Sequence, residues 1–116
     1  MKNSILIIVL LVSGLSLQAQ STTDTTIVVN GVCGMCKNTI EKAAKIEGVS
    51  FAEWNVESLE LKLKFDPALT DLEKINNSVV ASGYDTEFKA ASDSTYYSLS
   101  PCCYYRDPNN SHKKQK

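Results

Sequence analysis

Apolar and polar residues alternate strictly in one segment near the middle of the chain. The apolar positions are Leu59, Leu61, Leu63 and Phe65, and the polar positions between them are Glu60, Lys62 and Lys64. Successive side chains of a strand point to opposite faces of a sheet, so this segment predicts a strand that buries one face and exposes the other. It is the clearest periodic pattern in the sequence.

Three further segments are typical of strands because they are rich in β-branched and aromatic residues or alternate in polarity. These are residues 25–30, 49–56 and 84–88. Only Glu57 and Ser58 separate the second of them from the strand at 59–65. That spacing favours a tight hairpin between two antiparallel strands.

Two segments have the spacing of an amphipathic helix. The first begins at Cys36, and the second follows Thr70 and Glu73, which form a capping-box signature. Apolar residues recur every three to four positions in both segments. They are Ile40, Ala43 and Ala44 in the first and Leu72, Ile75 and Val79 in the second. Each helix therefore has one apolar face with which to pack on a sheet.

The order of these elements is βαββαβ, one of the ferredoxin-like arrangements. We therefore expect an α+β sandwich in which two helices cover one face of a four-stranded antiparallel sheet. This domain is predicted to span residues 25–89, after a short polar segment at residues 20–24. Residues 90–116 form a C-terminal tail, whose last ten residues have a composition typical of disorder.

The N-terminus has the composition of a secretory signal peptide. Lys2 precedes an unbroken apolar run at residues 5–12, and a cleavage site at Ala19 would remove residues 1–19. A membrane anchor is the alternative, but a spanning helix needs about 20 apolar residues, and Ser13 interrupts the run. The sequence thus predicts an exported protein, periplasmic or secreted, without stable membrane insertion after cleavage.

The charge balance gives no reason to expect nucleic acid as a partner. The chain has 12 Lys and Arg against 13 Asp and Glu, a formal net charge of −1. Since Lys2 is the only charged residue of the leader, the remaining 97 residues carry a formal charge of −2. A protein that binds a phosphate backbone normally presents an excess of basic residues. A chain of this length corresponds to one small domain.

Cys33 and Cys36 are the strongest candidates for chemistry. Two thiols separated by two residues can bind one ion, because the loop places the first sulfur over the start of the helix that carries the second. Unpaired N–H groups at that helix start favour thiolates, so both cysteines should ionise more easily than a free thiol. Thiolates prefer soft ions such as Cu(I), Hg(II) and Zn(II). A redox dithiol or a structural disulfide is the alternative, although the parallel crossover of a thioredoxin-like core does not follow.

A second cysteine pair, Cys102-Cys103, lies in a tyrosine-rich part of the tail that could fold back onto the sheet. One or both sulfurs could complete a metal site with Cys33 and Cys36. Alternatively, Cys102 and Cys103 could form a disulfide with each other, or one of them could form a disulfide with a cysteine of the domain. Relaxed disulfides have Cα atoms about 4.4 to 6.8 Å apart, whereas neighbouring residues lie about 3.8 Å apart. His112, in the polar end of the tail, is expected to be solvated and not a ligand.

Five short segments together resemble the heavy-metal-associated domain. They are Val29-Asn30-Gly31-Val32-Cys33-Gly34-Met35-Cys36, Ile40-Glu41-Lys42-Ala43, Glu47-Gly48-Val49, Phe65-Asp66-Pro67 and Ser82-Gly83-Tyr84-Asp85. The resemblance covers about residues 25–89 and implies the βαββαβ fold with one metal ion bound by the paired cysteines. The methionine that the family usually places before the first cysteine is missing, and Met35 lies between the two cysteines instead.

The resemblance implies a carrier or scavenger of metal and not an enzyme. Family members include periplasmic mercuric-ion-binding proteins, copper chaperones and modules of metal-transporting ATPases. The resemblance implies that the chain binds a soft ion for carriage, delivery or sequestration, with a metal-transporting membrane protein as a partner, and the leader would place this role outside the inner membrane. We expect a monomer, with dimerisation through a shared metal as the alternative. The alternative is thiol-disulfide exchange, with Cys33 as the nucleophile and Cys36 as the resolving thiol.

Three residues near the pair are candidates for supporting roles. Met35 could supply a thioether ligand, but we expect it to shield the site from water. Lys37 could offset the negative charge of a dithiolate complex or could simply be solvated. Tyr84 resembles the aromatic residue that follows the second helix in many family members, close to the metal loop. The alternative for Tyr84 is a position at the edge of the core with its hydroxyl in water.

Overall fold

The computed structural model describes residues 21–111, so the predicted leader and His112 lie outside the described residues. The strands are β1 (Thr23–Val28), β2 (Val49–Trp54) and β3 (Glu60–Phe65). The helices are α1 (Gly34–Ala44), α2 (Leu72–Ala81) and α3 (Asp93–Tyr97), and a 3₁₀ turn follows at Pro101–Cys103. None of these helices is both long and apolar enough to cross a membrane.

The sheet has the strand order β1-β3-β2, and both neighbouring pairs are antiparallel. The alternation that predicted β3 is confirmed, because Leu61, Leu63 and Phe65 are buried while the charged residues between them are exposed. Ile40 of α1 and Ile75 of α2 belong to the same buried cluster as this face of the sheet. The two helices therefore cover one face of the sheet, as expected for an α+β sandwich.

The predicted fourth strand at residues 84–88 is wrong in its extent. Only Thr86 bridges to the sheet, through an isolated antiparallel pairing with Val29, so the described sheet has three strands. The Thr86 hydroxyl accepts hydrogen bonds from the Phe88 and Lys89 amides (3.2 Å each), and the Thr86 amide donates to the Lys89 carbonyl (2.9 Å). These bonds close a local turn where the strand would have continued, and Phe88 is 61% exposed.

Side-chain hydrogen bonds also set two boundaries that differ from the predictions. α2 is capped by Asp71, whose carboxylate accepts from the Lys74 amide (2.8 Å), and not by Thr70, which is buried. The connection between β2 and β3 is a longer loop than the predicted tight turn. The Asn55 side chain accepts from two amides of this loop (2.8 and 3.0 Å), and Leu59 closes it with a positive φ of 64°.

The C-terminal tail packs against the domain. Three of its residues belong to the same buried cluster as the sheet and helices, namely Tyr96, Cys103 and Tyr105. Of the last ten residues, for which we expected disorder, residues 108, 109 and 111 lie in turns. Asn110 is buried, and its side-chain amide donates to two tail carbonyls (3.1 and 3.2 Å). The fold thus places the second cysteine pair against the domain.

Candidate metal centre

Cys33 and Cys36 are positioned by the start of α1. Cys33 is the N-cap residue, with an extended backbone, and its carbonyl accepts from the Lys37 amide (3.1 Å). Cys36 follows in the first turn, and the two Sγ atoms are 3.4 Å apart. The sequence predicted a helix that begins at Cys36, but α1 begins two residues earlier, at Gly34. The first helical turn therefore fixes both thiols, and both are buried.

The indole of Trp54 supports the loop that leads to the cysteines. Its Nε1–H donates to the Val29 carbonyl (2.9 Å), and its ring packs against Gly31. A Cβ atom at Gly31 would lie 2.9 Å from two ring carbons and 3.2 Å from the Cβ of Cys36. A side chain at this position would therefore collide with the ring, and glycine allows the close approach.

The tail brings a third thiol to the pair. Cys103 ends the 3₁₀ turn, and its Sγ lies 3.6 Å from the Sγ of Cys33. The sulfurs of Cys33, Cys36 and Cys103 all lie within 4.8 Å of one another, and these residues are 8%, 0% and 3% exposed. All four cysteines are free thiols in the structure. Three buried sulfurs thus converge from the start of α1 and from the tail.

Aromatic and ionic contacts hold the tail in this position. The rings of Tyr84 and Tyr105 stack with their centroids 5.6 Å apart. The Arg106 guanidinium donates to both carboxylate oxygens of Asp85 (2.7 and 3.2 Å) and lies 4.3 Å from the centroid of the Tyr96 ring. A bidentate pair of this kind fixes orientation as well as distance. These contacts flank Cys103 along the chain and keep its sulfur beside the other two.

Cys33 and Cys103 differ in how readily they ionise. Burial tends to raise the pKa of Cys33, but hydrogen bonds with the Cys36 amide and with the thiols of Cys36 and Cys103 hold it below its usual value. This agrees with the thiolate predicted for Cys33. Burial raises the pKa of Cys103 above its usual range, and its hydrogen bonds with the other two thiols raise it further. Cys103 therefore keeps its proton at neutral pH and can donate it to Cys33.

Tyr84 faces the thiols from the core. It is completely buried, and its hydroxyl has no partner of standard hydrogen-bond geometry among the described residues. Burial raises the pKa of this hydroxyl above its usual range, and the neighbouring sulfurs of Cys36 and Cys103 raise it further. The hydroxyl is therefore a protonated donor beside the sulfurs and not a group in water at the edge of the core. A donor there can stabilise the negative charge of a thiolate.

Lys37 has protein partners of its own. Its ammonium forms an ion pair with Glu41 and donates to the Trp54 carbonyl (3.0 Å), while Glu41 accepts from the Trp54 amide (2.8 Å). Burial tends to raise the pKa of Glu41, but Lys37 and the Trp54 amide hold it below its usual value. These contacts join α1 to the end of β2, so Lys37 is a structural residue of the site and not merely a solvated one.

The remaining sulfur residues lie on the outside of the cluster. The Cys102 Sγ is 3.6 Å from the Met35 Sδ and 3.9 Å from the Cys103 Sγ. Met35 is 54% exposed and Cys102 is half-buried. Met35 therefore borders the site on its solvent side, where it contacts the tail.

Sequence reasoning missed two residues that build this site. From the sequence, Trp54 is interpreted only as a packing residue of the second predicted strand, yet Gly31, two positions before Cys33, indicates that another group approaches the loop closely. Arg106 was not singled out, although it is the only arginine in the chain and lies within a tyrosine-rich segment. An arginine among aromatic rings is a recurrent anchor, because its planar group stacks on rings while binding a carboxylate.

A ferredoxin-like domain with thiols gathered at the start of its first helix is a domain that binds soft heavy metals. The heavy-metal-associated domain matches residues 26–85, which are more than half of the chain and include Cys33, Cys36 and Tyr84. The chain therefore belongs to the heavy-metal-associated domain family, whose fold it shares. It is a metal-binding protein and not an enzyme.

Several solved structures are similar to this chain. A CopZ metallochaperone is 27% identical with a TM-score of 0.53, over 55% of this chain and 98% of that one. Oxidized MerP from Ralstonia metallidurans CH34 is 32% identical with a TM-score of 0.54, over 58% and 96%. The N-terminal domain of a potential copper-translocating P-type ATPase from Bacillus subtilis, in the Cu(I)-loaded state, is 28% identical with a TM-score of 0.55, over 63% and 94%. The chain has no significant match among curated proteins.

Proposed function

We propose that the chain carries or sequesters Cu(I) or Hg(II) outside the inner membrane, with the thiolates of Cys33 and Cys36 as the main ligands and Cys103 as the third. The observation that carries this proposal is the convergence of three buried sulfurs within 4.8 Å. Because the ion is cargo, the site has to bind it tightly and later release it by exchange with other thiolates. No covalent chemistry on a substrate is needed.

The spacing of the sulfurs argues against linear two-fold coordination, and their number argues for three ligands. With metal–sulfur bonds of about 2.3 Å, a flat three-coordinate site has sulfurs about 4.0 Å apart and a linear two-coordinate site has them about 4.6 Å apart. The Cys33 Sγ is 3.4 Å from one partner and 3.6 Å from the other, which is far below the linear span and nearer to the spans of a three-coordinate site and of a tetrahedral site, about 4.0 and about 3.8 Å. Structural Zn(II) sites almost always have four ligands, and the metal-ligand cluster found in residues 21–111 offers three. Cu(I) and Hg(II) therefore suit the site better than Zn(II).

The burial of Cys33 argues against thiol-disulfide exchange. A catalytic thiol has to reach a disulfide on another molecule, whereas Cys33 is enclosed by α1 and by the tail. A third thiol 3.6 Å from Cys33 has no role in that reaction. The same burial suits storage of a soft ion, because a water-poor thiol cage protects the complex from competing ligands.

The relatives and the leader support an extracytoplasmic role. One similar structure, of MerP in its mercury-bound form, is described as the periplasmic protein of the bacterial mercury detoxification system. Two others are a copper-binding domain of one P-type ATPase and the water-soluble region of another, CopA from Bacillus subtilis. The predicted signal peptide and the periplasmic MerP support export of the chain, and the ATPase structures support exchange of its ion with a metal-transporting membrane protein. We propose that the exported protein acts as a monomer.

Anaerobic titration of the reduced protein tests this proposal. We expect one tightly bound equivalent of Hg(II), and a first tight equivalent of Cu(I), in competition with a chelator, with Zn(II) bound more weakly. X-ray absorption of the one-equivalent complexes should show three sulfur neighbours, since Cys103 completes the site. A protein that binds neither ion tightly but reduces a disulfide substrate would instead be an oxidoreductase.

Proton release provides a separate test of the third ligand. Because the pKa of Cys103 is raised, this thiol is protonated at neutral pH and has to lose its proton when metal binds. We expect Cys103→Ser to release about one proton fewer per metal ion than wild type. The slope of log affinity against pH should also be about one unit smaller from about pH 6 to about pH 8, with wild-type affinity rising as pH rises. Equal proton counts in the two proteins would exclude Cys103 as a ligand.

A further inference from the structure

A second sulfur pair lies on the surface beside the buried thiols of Cys33, Cys36 and Cys103. The Met35 Sδ and the Cys102 Sγ are 3.6 Å apart, although they come from the first turn of α1 and from the 3₁₀ turn of the tail. Met35 is 54% exposed, so its thioether is accessible from solvent. The pair presents one thiol and one thioether, and both are soft ligands.

The surface pair is continuous with the buried thiols. From Cys102 the next sulfur is that of Cys103 at 3.9 Å, followed by Cys33 at 3.6 Å and Cys36 at 3.4 Å. Every neighbouring pair is closer than the span of about 4.6 Å that one ion with two bonds of about 2.3 Å can bridge. An ion can therefore bind the next sulfur before it leaves the previous one.

The buried cluster needs such a route because its own sulfurs have little contact with solvent. Cys33, Cys36 and Cys103 are each less than one-tenth exposed, and the Arg106 pairing with Asp85 holds the tail over them. Either the tail has to detach for each transfer, or the ion has to pass through an exposed sulfur. Cys102 is the sulfur that connects the outside with the cluster.

We infer that Met35 and Cys102 form a separate surface site for Cu(I), through which the ion enters and leaves the buried thiols. This inference rests on the proposed function, because it takes the buried thiols to be where the ion is finally bound. On entry, the Cys102 thiol gives its proton to water and binds the ion together with the Met35 thioether. The ion then bonds to Cys103 as the Met35 bond breaks. The Cys103 proton is lost to water. When the ion bonds to Cys33 and Cys36, any proton on these two thiols also passes to water, the bond to Cys102 breaks, and Cys102 takes up a proton from water. Copper stays Cu(I) throughout.

The rate of transfer separates this route from opening of the tail. Protein loaded with one equivalent of Cu(I) is mixed with excess chelator in a stopped-flow instrument, and the equilibrium affinity is measured in parallel. We expect Met35→Leu, Cys102→Ser and the double variant to slow release, the double variant by at least about tenfold, the lower end of what loss of a partner costs a metal site. Their affinities for the first equivalent should stay within about threefold of wild type, since the buried ligands are intact.

The two variants are matched because each removes one soft atom and keeps the size of the side chain. Release from the double variant at the wild-type rate would overturn the inference. Arg106→Ala, which loosens the tail, gives a second test: if it accelerates release equally in wild type and in the double variant, the ion leaves by opening of the tail and the inference is overturned. Loss of tight binding at equilibrium would count against the buried site itself, so failure of the route and failure of the proposed function are distinguishable.

Discussion

Replacing both Cys33 and Cys36 by serine is expected to abolish tight binding of Cu(I) and Hg(II). The two thiols are 3.4 Å apart on the first turn of α1, and a hydroxyl in place of each offers a hard, poorly ionised ligand to a soft ion. Loss of a residue that merely supports a metal ligand costs about 10- to 100-fold in affinity, so loss of both principal ligands should cost more than about 100-fold. Competition with a chelator under anaerobic conditions measures the effect.

Cys102→Ser is the matched control for this double variant. It also replaces a thiol by a hydroxyl, but at a half-buried position outside the three-sulfur cluster, so its equilibrium affinity should stay close to that of wild type. Far-ultraviolet circular dichroism should be the same for all three proteins, because the apolar core does not depend on the ion. If the double variant still bound Hg(II) within tenfold of wild type, Cys33 and Cys36 would not be the main ligands.

Replacing Trp54 by alanine is expected to lower the free energy of unfolding by about 3–5 kcal/mol, the usual cost of removing a large aromatic side chain from a core. Trp54 is 1% exposed, and its Nε1–H is the donor to the Val29 carbonyl. The variant therefore creates a cavity beneath the loop that leads to the thiols and leaves a buried carbonyl without its donor. Urea unfolding of the metal-free, reduced protein measures the loss.

Phe51→Ala is the control for the Trp54 substitution. Phe51 lies on the same strand and is also aromatic, but it is 38% exposed, so its truncation should cost about 1 kcal/mol or less. Comparable losses for the two variants would show that Trp54 packs no better than a residue on the outer face of the sheet. That outcome would contradict the conclusion that Trp54 supports the loop leading to the cysteines.

The elements that could be predicted from the sequence are those determined by local periodicity. β3 could be predicted from the alternation of apolar and polar residues alone, because a strand with one buried face needs an apolar side chain at every second position. The fourth strand failed because the Thr86 hydroxyl binds the amides of Phe88 and Lys89, and periodicity carries no information about that competition. The predicted cap of α2 was wrong because Asp71, next to Thr70, is a better N-cap residue than threonine and accepts from the Lys74 amide.

The metal site also has a part that local sequence predicts and a part that it does not. The pairing of Cys33 with Cys36 is a property of four consecutive residues and could be predicted. The contact of Cys103 depends on how the tail folds back through the Tyr84–Tyr105 stack and the Arg106 ion pair, which no local pattern specifies. The tail cysteines were candidates as a pair, but adjacent residues of the 3₁₀ turn meet different neighbours, so only Cys103 joins the cluster.

The wide separation of the sulfurs along the chain has a consequence for how the protein is made. Cys103 is 70 positions after Cys33, and translation adds about 5–20 residues per second. The third thiol is therefore synthesised on the order of ten seconds after the first two. A nascent chain that meets copper in that interval can hold it with two sulfurs only, before the tail encloses them. The enclosed three-sulfur site is complete only after the tail has been made and has folded onto the domain.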